Sequence, residues 1–284
     1  MADHRVATLR AQWLGSELRE MREQAGLTLK EVGEFLRRNP STVSRFESGL
    51  MPTRVAEVLA YLDICGVDDP KRRDALKKMS QELFQKGWWD GYTGDVAGEL
   101  IDRIWLESRA TAICYFSTVV VPGLLQTREY AEAIIRTANG AGNDEQIERW
   151  IELRMARQRL LDRDEPLELK ALLDESVARR LVGGTATMRA QLAHLVSIAS
   201  RSGFEIRVLP FSAGAHASPD GPFDILRMAE PYPDAAAMHT PAGAVYVEAE
   251  KAADLVSRYH QLCDTALSPG DTVAFLSELV AEME

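Results

Sequence analysis

The chain is poor in residues that staple or ligate. Among its 284 residues stand only three cysteines, Cys65, Cys114 and Cys263, far apart and with no C-x-x-C pair. That excludes a disulfide framework and a zinc site, so no cofactor or metal is expected and the thiols are expected to be buried and reduced. No uninterrupted apolar run approaches the roughly 18 residues of a membrane-spanning helix. The polar start MADHRVATLRAQ is not a signal peptide, so a cytoplasmic protein without a membrane partner is expected. Internal repeats and low-complexity tracts are also lacking. With 46% apolar and 27% charged residues, the chain should fold as a globule, and its length suits two modest domains.

Positive charge is short as well, since 33 Lys and Arg face 43 Asp and Glu for a net charge of -10. Its distribution matters more than its total. Residues 1–66 hold nine of each sign, so the whole deficit lies in residues 67–284. A neutral N-terminal domain with its arginines on one face can still bind phosphates, because charge acts locally within about 8–10 Å. The acidic remainder is unsuited to lying on DNA.

Residues 9–66 read as four short helices. In the first, Leu14, Leu18, Met21 and Ala25 form one stripe, and Gly26 ends it. Thr28 with Glu31 three residues on is a capping box that opens the second, whose expected buried stripe is Val32, Phe35 and Leu36. Asn39 before Pro40 is another start signal, with the Asn side chain as the expected cap. The third helix, over 39–48, buries Val43 and Phe46. A fourth follows Gly49 and Pro52 on Val55, Val58, Leu59 and Leu62.

Residues 67–92 read as a helical connector ending in the aromatic cluster Trp88, Trp89 and Tyr92, taken as packing residues. Residues 93–284 read as an α+β domain. Residues 110–121 are β-rich, and Thr127 caps a helix carrying Tyr130, Ile134 and Ile135. Another helix covers 144–161, where interleaved arginines (Arg149, Arg154, Arg157, Arg159, Arg163) and acidic residues suggest a solvated face. Strands are predicted over 167–173, 205–211, 221–228 and 244–247, with helices over 187–200, 251–266 and 269–283. The predicted fold class is an all-α N-terminal domain followed by a larger α+β domain.

The spacing of Gly26-Leu27-Thr28, then Ser41-Thr42-Val43-Ser44-Arg45-Phe46-Glu47-Ser48-Gly49 and Pro52, resembles the Cro/repressor-like (xenobiotic response element) helix-turn-helix family. The likeness covers most of residues 14–62. It implies a sequence-specific regulator that binds double-stranded operator DNA as a homodimer. Pro40, Ser41, Ser44 and Arg45 fall where that family faces base edges, Arg45 being suited to a guanine. Thr28, Lys30, Arg37, Arg38, Asn39 and Arg54 lie at helix starts and turns, where phosphate contacts are usual. Arg37 and Arg38 replace the Gly and small apolar residue of the family's turn. A plain helical bundle with solvated arginines is the competing reading, but it has no need for Asn-Pro or Glu-x-Gly around a short polar-faced helix. Glu47 is read as a structural hydrogen-bonding residue.

Farther on, Val121-Pro122-Gly123-Leu124-Leu125-Gln126-Thr127, Arg154, Ala156-Arg157-Gln158 and Leu209-Pro210-Phe211 through His216, with Gly221-Pro222-Phe223, are similar to a domain of actinobacterial Scr-type antitoxin-like and WhiJ-like regulators. That resemblance implies sensing of a small-molecule effector or binding of a small partner protein. The turn Pro122-Gly123 and the loop 212–222 are tight turns or places of close ligand approach. No enzymatic activity is expected. His216 with Asp220 or Asp224 is the single alternative, and no nucleophile motif accompanies it.

Overall fold

Thr28 accepts the Glu31 N–H at 3.3 Å while the Glu31 carboxylate accepts the Thr28 N–H at 2.7 Å, so the capping box forms as its spacing predicts. The computed structural model describes residues 7–96, 98–139, 143–164, 167–240 and 243–283. The chain divides into two compact units, of which the first comprises, among the described residues, 7–93, 98–103 and 230–232. Its helices are α1 (Leu9–Gln24), α2 (Leu29–Leu36), α3 (Pro40–Glu47), α4 (Val55–Ile64) and α5 (Pro70–Glu82).

Leu14, Leu18, Met21, Val32, Val43, Phe46, Val58 and Leu62 are buried, as the periodicity predicts. Tyr61 joins them without having been anticipated. Two expectations fail in detail. Ala25 is exposed, and Phe35 is 53% exposed because α2 buries a narrow strip at Val32 and Gly33. A Cβ at Gly33 would stand 2.7 Å from the Arg38 carbonyl, and one at Gly15 2.5 Å from that of Glu47, so these glycines let the helical backbones close up. Beneath them Glu47 is clamped. It accepts Arg22 Nε and Nη2 at 2.7 and 2.9 Å and the Tyr61 hydroxyl at 2.5 Å, the structural role read from the sequence. That bond strongly raises the Arg22 pKa, and burial foremost raises that of Tyr61.

α5, which falls in the stretch read as a connector, buries Leu76 and Met79 in this first unit, and Ser80 Oγ donates to the Thr53 carbonyl at 2.7 Å. Of the aromatic cluster, Trp89 is buried and Trp88 is 47% exposed.

The second unit is built on one six-stranded mixed sheet. Its helices and strands are α6 (Gly98–Arg109, of which the last six residues belong here), β1 (Ala110–Ser117), α7 (Arg128–Ala138), α8 (Asp144–Gln158), β2 (Glu168–Asp174), α9 (Glu175–Arg179), α10 (Thr185–Ala199), β3 (Phe204–Leu209), β4 (Phe223–Met228), β5 (Ala235–Thr240), β6 (Gly243–Glu248), α11 (Ala249–Thr265) and α12 (Pro269–Glu282). The strand order is β3-β2-β1-β4-β5-β6, with β1, β2 and β3 parallel and the others antiparallel. The fold class is therefore as predicted, helical first and α+β after. On one sheet face Phe116, Leu172, Phe223 and Ile225 pack under Ala252, Tyr259 and Leu262 of α11. Neighbouring residues Ile113, Ala171 and Val208 are buried on the opposite face, so strand sequences read as apolar runs.

α8 corrects the sequence reading in part, because Arg159 at its end is exposed while Arg154 and Arg157 are not on a solvated face. Arg157 makes two hydrogen bonds, at 2.7 and 3.1 Å, to the buried Glu107 carboxylate, and Arg154 donates to Gln126 Oε1 at 2.8 Å. Arg163, just beyond the helix, donates to the Ala110 carbonyl at 2.6 Å. Burial holds the Arg154 pKa down to about 10. All three cysteines are free and only half-buried rather than buried as expected, and partial burial is the first cause of their raised pKa values.

Candidate nucleic-acid interface

Helix α3 is short and two-sided. At 100° per residue, Val43 and Phe46 share the inward face while Ser41, Ser44 and Arg45 share the outward one. The structure agrees, with Val43 and Phe46 fully buried and Pro40, Ser41, Ser44 and Arg45 exposed. Ser48, one turn beyond Ser44, extends this face; the i, i+3, i+7 spacing from Ser41 was the signal that could have found it.

Pro40 occupies the first turn of α3, where a missing N–H costs nothing. The expected Asn39 side-chain cap is absent. Asn39 stands at the cap position with its carbonyl accepting from Thr42 and Val43 at 2.8 and 3.2 Å, which leaves its exposed amide for another partner. The turn between α2 and α3 is left-handed at Arg37, with φ of 53°. Thus Arg37 adopts the conformation that glycine usually supplies there.

The expected phosphate-contacting residues Thr28, Lys30, Arg37, Arg38, Asn39 and Arg54 are all exposed. Their states differ. Thr28 is engaged in its capping box, and Lys30 lies 3.9 Å from Glu34. Arg38 pairs with Glu57 at 2.7 Å, and Glu57 also accepts the Arg54 N–H at 3.3 Å, tying the turn to the start of α4. Arg37, Arg45 and Arg54 make no ion pair among the described residues. Three exposed guanidinium groups are therefore unengaged: Arg45 on the outward face of α3, Arg37 in the turn before it and Arg54 at the start of α4. Groups of that chemistry are planar forks that bind phosphate oxygens and guanine edges alike as bidentate donors.

In the second unit His216 Nδ1 accepts the Ser218 N–H at 3.2 Å, and the ring stacks edge-on against Phe116. Asp220 faces Arg258, and Asp224 lies 2.5 Å from His239, so neither carboxylate is brought to His216. At Pro122-Gly123, Gln158 donates to the Gly123 carbonyl at 3.1 Å, which makes this a turn packed by its own chain. No group of His, Cys, Asp and Glu among the described residues could hold a metal ion. No helix among them is long and apolar enough to cross a membrane.

A helix-turn-helix domain model matches residues 13–76, which hold the whole of this constellation. Residues 100–278 match the domain of unknown function DUF5753, and on that span the chain belongs to the DUF5753 family. No curated protein and no solved structure matches the chain.

Proposed function

We propose that the chain is a cytoplasmic, sequence-specific transcriptional regulator of the Cro/repressor-like kind that reads operator DNA with α3. The outward face of α3, polar along its length with Arg45 unengaged, carries this reading. Pro40, Ser41, Ser44 and Arg45 face base edges, while Thr28, Lys30, Arg37, Arg38, Asn39 and Arg54 line the phosphate backbone. The protein acts as a homodimer, and the second unit is its sensing module for a small-molecule effector. It performs no catalysis, in keeping with a His216 that pairs with no carboxylate among the described residues.

Genome-wide footprinting of the intact protein tests the reading. Reproducible sites with symmetric half-sites about one helical turn apart are expected. Absence of any protected sequence would sink it.

The net charge after residue 66 supports a second reading, an antitoxin-like protein whose acidic second unit holds a small basic partner and whose DNA binding is autoregulatory. Co-purification of the product of the neighbouring reading frame would favour it over small-molecule sensing.

A further inference from the structure

A cleft of about 360 Å³ opens in the second unit between the β5–β6 hairpin, the loop 218–222 and helix α11. Cross-strand pairing puts Phe223, Met238 and Val245 side by side, since Phe223 is opposite Met238 and Met238 is opposite Val245. With Leu255 they form an apolar wall that is incompletely covered, Met238 being 36% and Val245 48% exposed. His239 also lines the cleft, with its imidazole paired to the buried Asp224 at 2.5 Å.

The helix wall follows the α-helical repeat, with Lys251, Asp254, Leu255 and Arg258 lining the cleft at i, i+3, i+4 and i+7. Arg258 is taken up by Asp220 at 3.4 Å and by the Ala217 carbonyl at 3.3 Å. Lys251 and Asp254 are exposed and make no ion pair among the described residues, with each other or with any neighbour. The cleft thus presents one ammonium and one carboxylate on adjacent turns, beside an apolar surface.

We infer that this cleft binds a small zwitterion with an apolar side chain, an α-amino acid of the leucine, phenylalanine or tryptophan class. Such a ligand carries a carboxylate for Lys251 and an ammonium for Asp254 on a single carbon, and projects its apolar part onto Leu255, Met238 and Val245. The volume lies near the lower end of the roughly 300–1,000 Å³ of small-molecule sites, which suits a ligand of this size better than a dinucleotide or a folded partner. The inference rests on reading the second unit as a sensing module and names the chemistry it senses.

Isothermal titration calorimetry of the full chain tests it with L-leucine, L-phenylalanine, L-tryptophan, 2-phenylethylamine, which lacks the carboxylate, and N-acetyl-L-phenylalanine, which lacks the ammonium. At least one amino acid is expected to saturate the protein below about 1 mM, and phenylalanine to bind about tenfold or more tightly than either analogue. Lys251→Ala should weaken phenylalanine about tenfold without changing 2-phenylethylamine, and Asp254→Ala should weaken it without changing the N-acetyl compound. Both positions are exposed, so neither substitution threatens the fold. Failure of all three amino acids to saturate, or binding indifferent to both substitutions, overturns the site. A parallel titration of footprinted DNA with and without the amino acid separates the two claims. Binding that leaves DNA affinity unchanged upholds the site and removes the sensing role.

Discussion

Arg45 and Arg37 carry the same charge in different settings, and they should fail in different ways when replaced. Arg45 lies on the outward face of α3, opposite Val43 and Phe46, with no ion partner among the described residues. Arg45→Ala should therefore leave the thermal midpoint unchanged. Specific affinity should fall by about 1–3 kcal/mol, concentrated at one base position per half-site, in titrations across operator variants. A uniform loss across all variants would make Arg45 a phosphate ligand and rotate α3 away from the proposed pose. Arg37 sits at φ of 53°, where an L side chain costs about 1–2 kcal/mol. Arg37→Gly relieves that cost and adds chain entropy to the unfolded state, so a net gain of about 0.5–1 kcal/mol in denaturant unfolding is expected, together with the loss of about one phosphate contact.

At the scale of elements, the helix-turn-helix was legible because its signals are local. The capping box and Asn-Pro act within four residues, and an apolar stripe is built from i, i+3 and i+4 steps. Phe35 escaped because which edge of a stripe is covered depends on where α3 and α4 lie. Strand β5 was invisible in the sequence for a related reason. Its first three residues are alanines, weak strand formers, and they are fully buried because β4 and β6 flank them and Ala236 packs in the cluster under α11. The α8 arginines looked solvated beside their own acidic neighbours, yet the groups that hold Arg154 and Arg157 inward, Gln126 and Glu107, come from 28 and 50 residues away. Asp102 on α6 illustrates the same gap and gives a measurable consequence. It accepts the N–H of Leu9 at the start of α1 at 3.0 Å, and burial raises its pKa from 3.8 to about 6, against the pull of Leu9 and Arg10. Because the folded state holds this proton more tightly, its contribution is fully present below about pH 4 and is lost as pH rises through about 6. Asp102→Asn keeps an acceptor for Leu9 without the buried charge. The variant should be about 1–3 kcal/mol more stable than the parent at pH 7, with the difference vanishing near pH 4 in urea unfolding. An equal difference at both pH values would mean that Asp102 is ionised throughout.

At the scale of the whole molecule, α3 is too small to act alone. Its eight residues span about 12 Å, so one copy reaches only a few base pairs, too little for operator-level affinity. Two copies on half-sites about 34–36 Å apart restore the contact area, and their phosphate cations add. Each protomer offers between two and four of these, because Arg37 and Arg54 are unengaged while Lys30 and Arg38 must give up Glu34 and Glu57. With a slope of about -0.9 per neutralised phosphate, a dimer should show a dependence of log affinity on log salt between about -4 and -7, and a lone protomer between about -2 and -4. The acidic second unit adds no cation face to this count, so the slope should not flatten when only that unit's surface arginines, such as Arg128 or Arg201, are replaced. Sedimentation at micromolar concentration, with and without the footprinted DNA, fixes the stoichiometry against which the slope is read. A chain that stays monomeric in both conditions, with a slope near -2, would remove the homodimer and leave α3 as a weak, single-half-site reader.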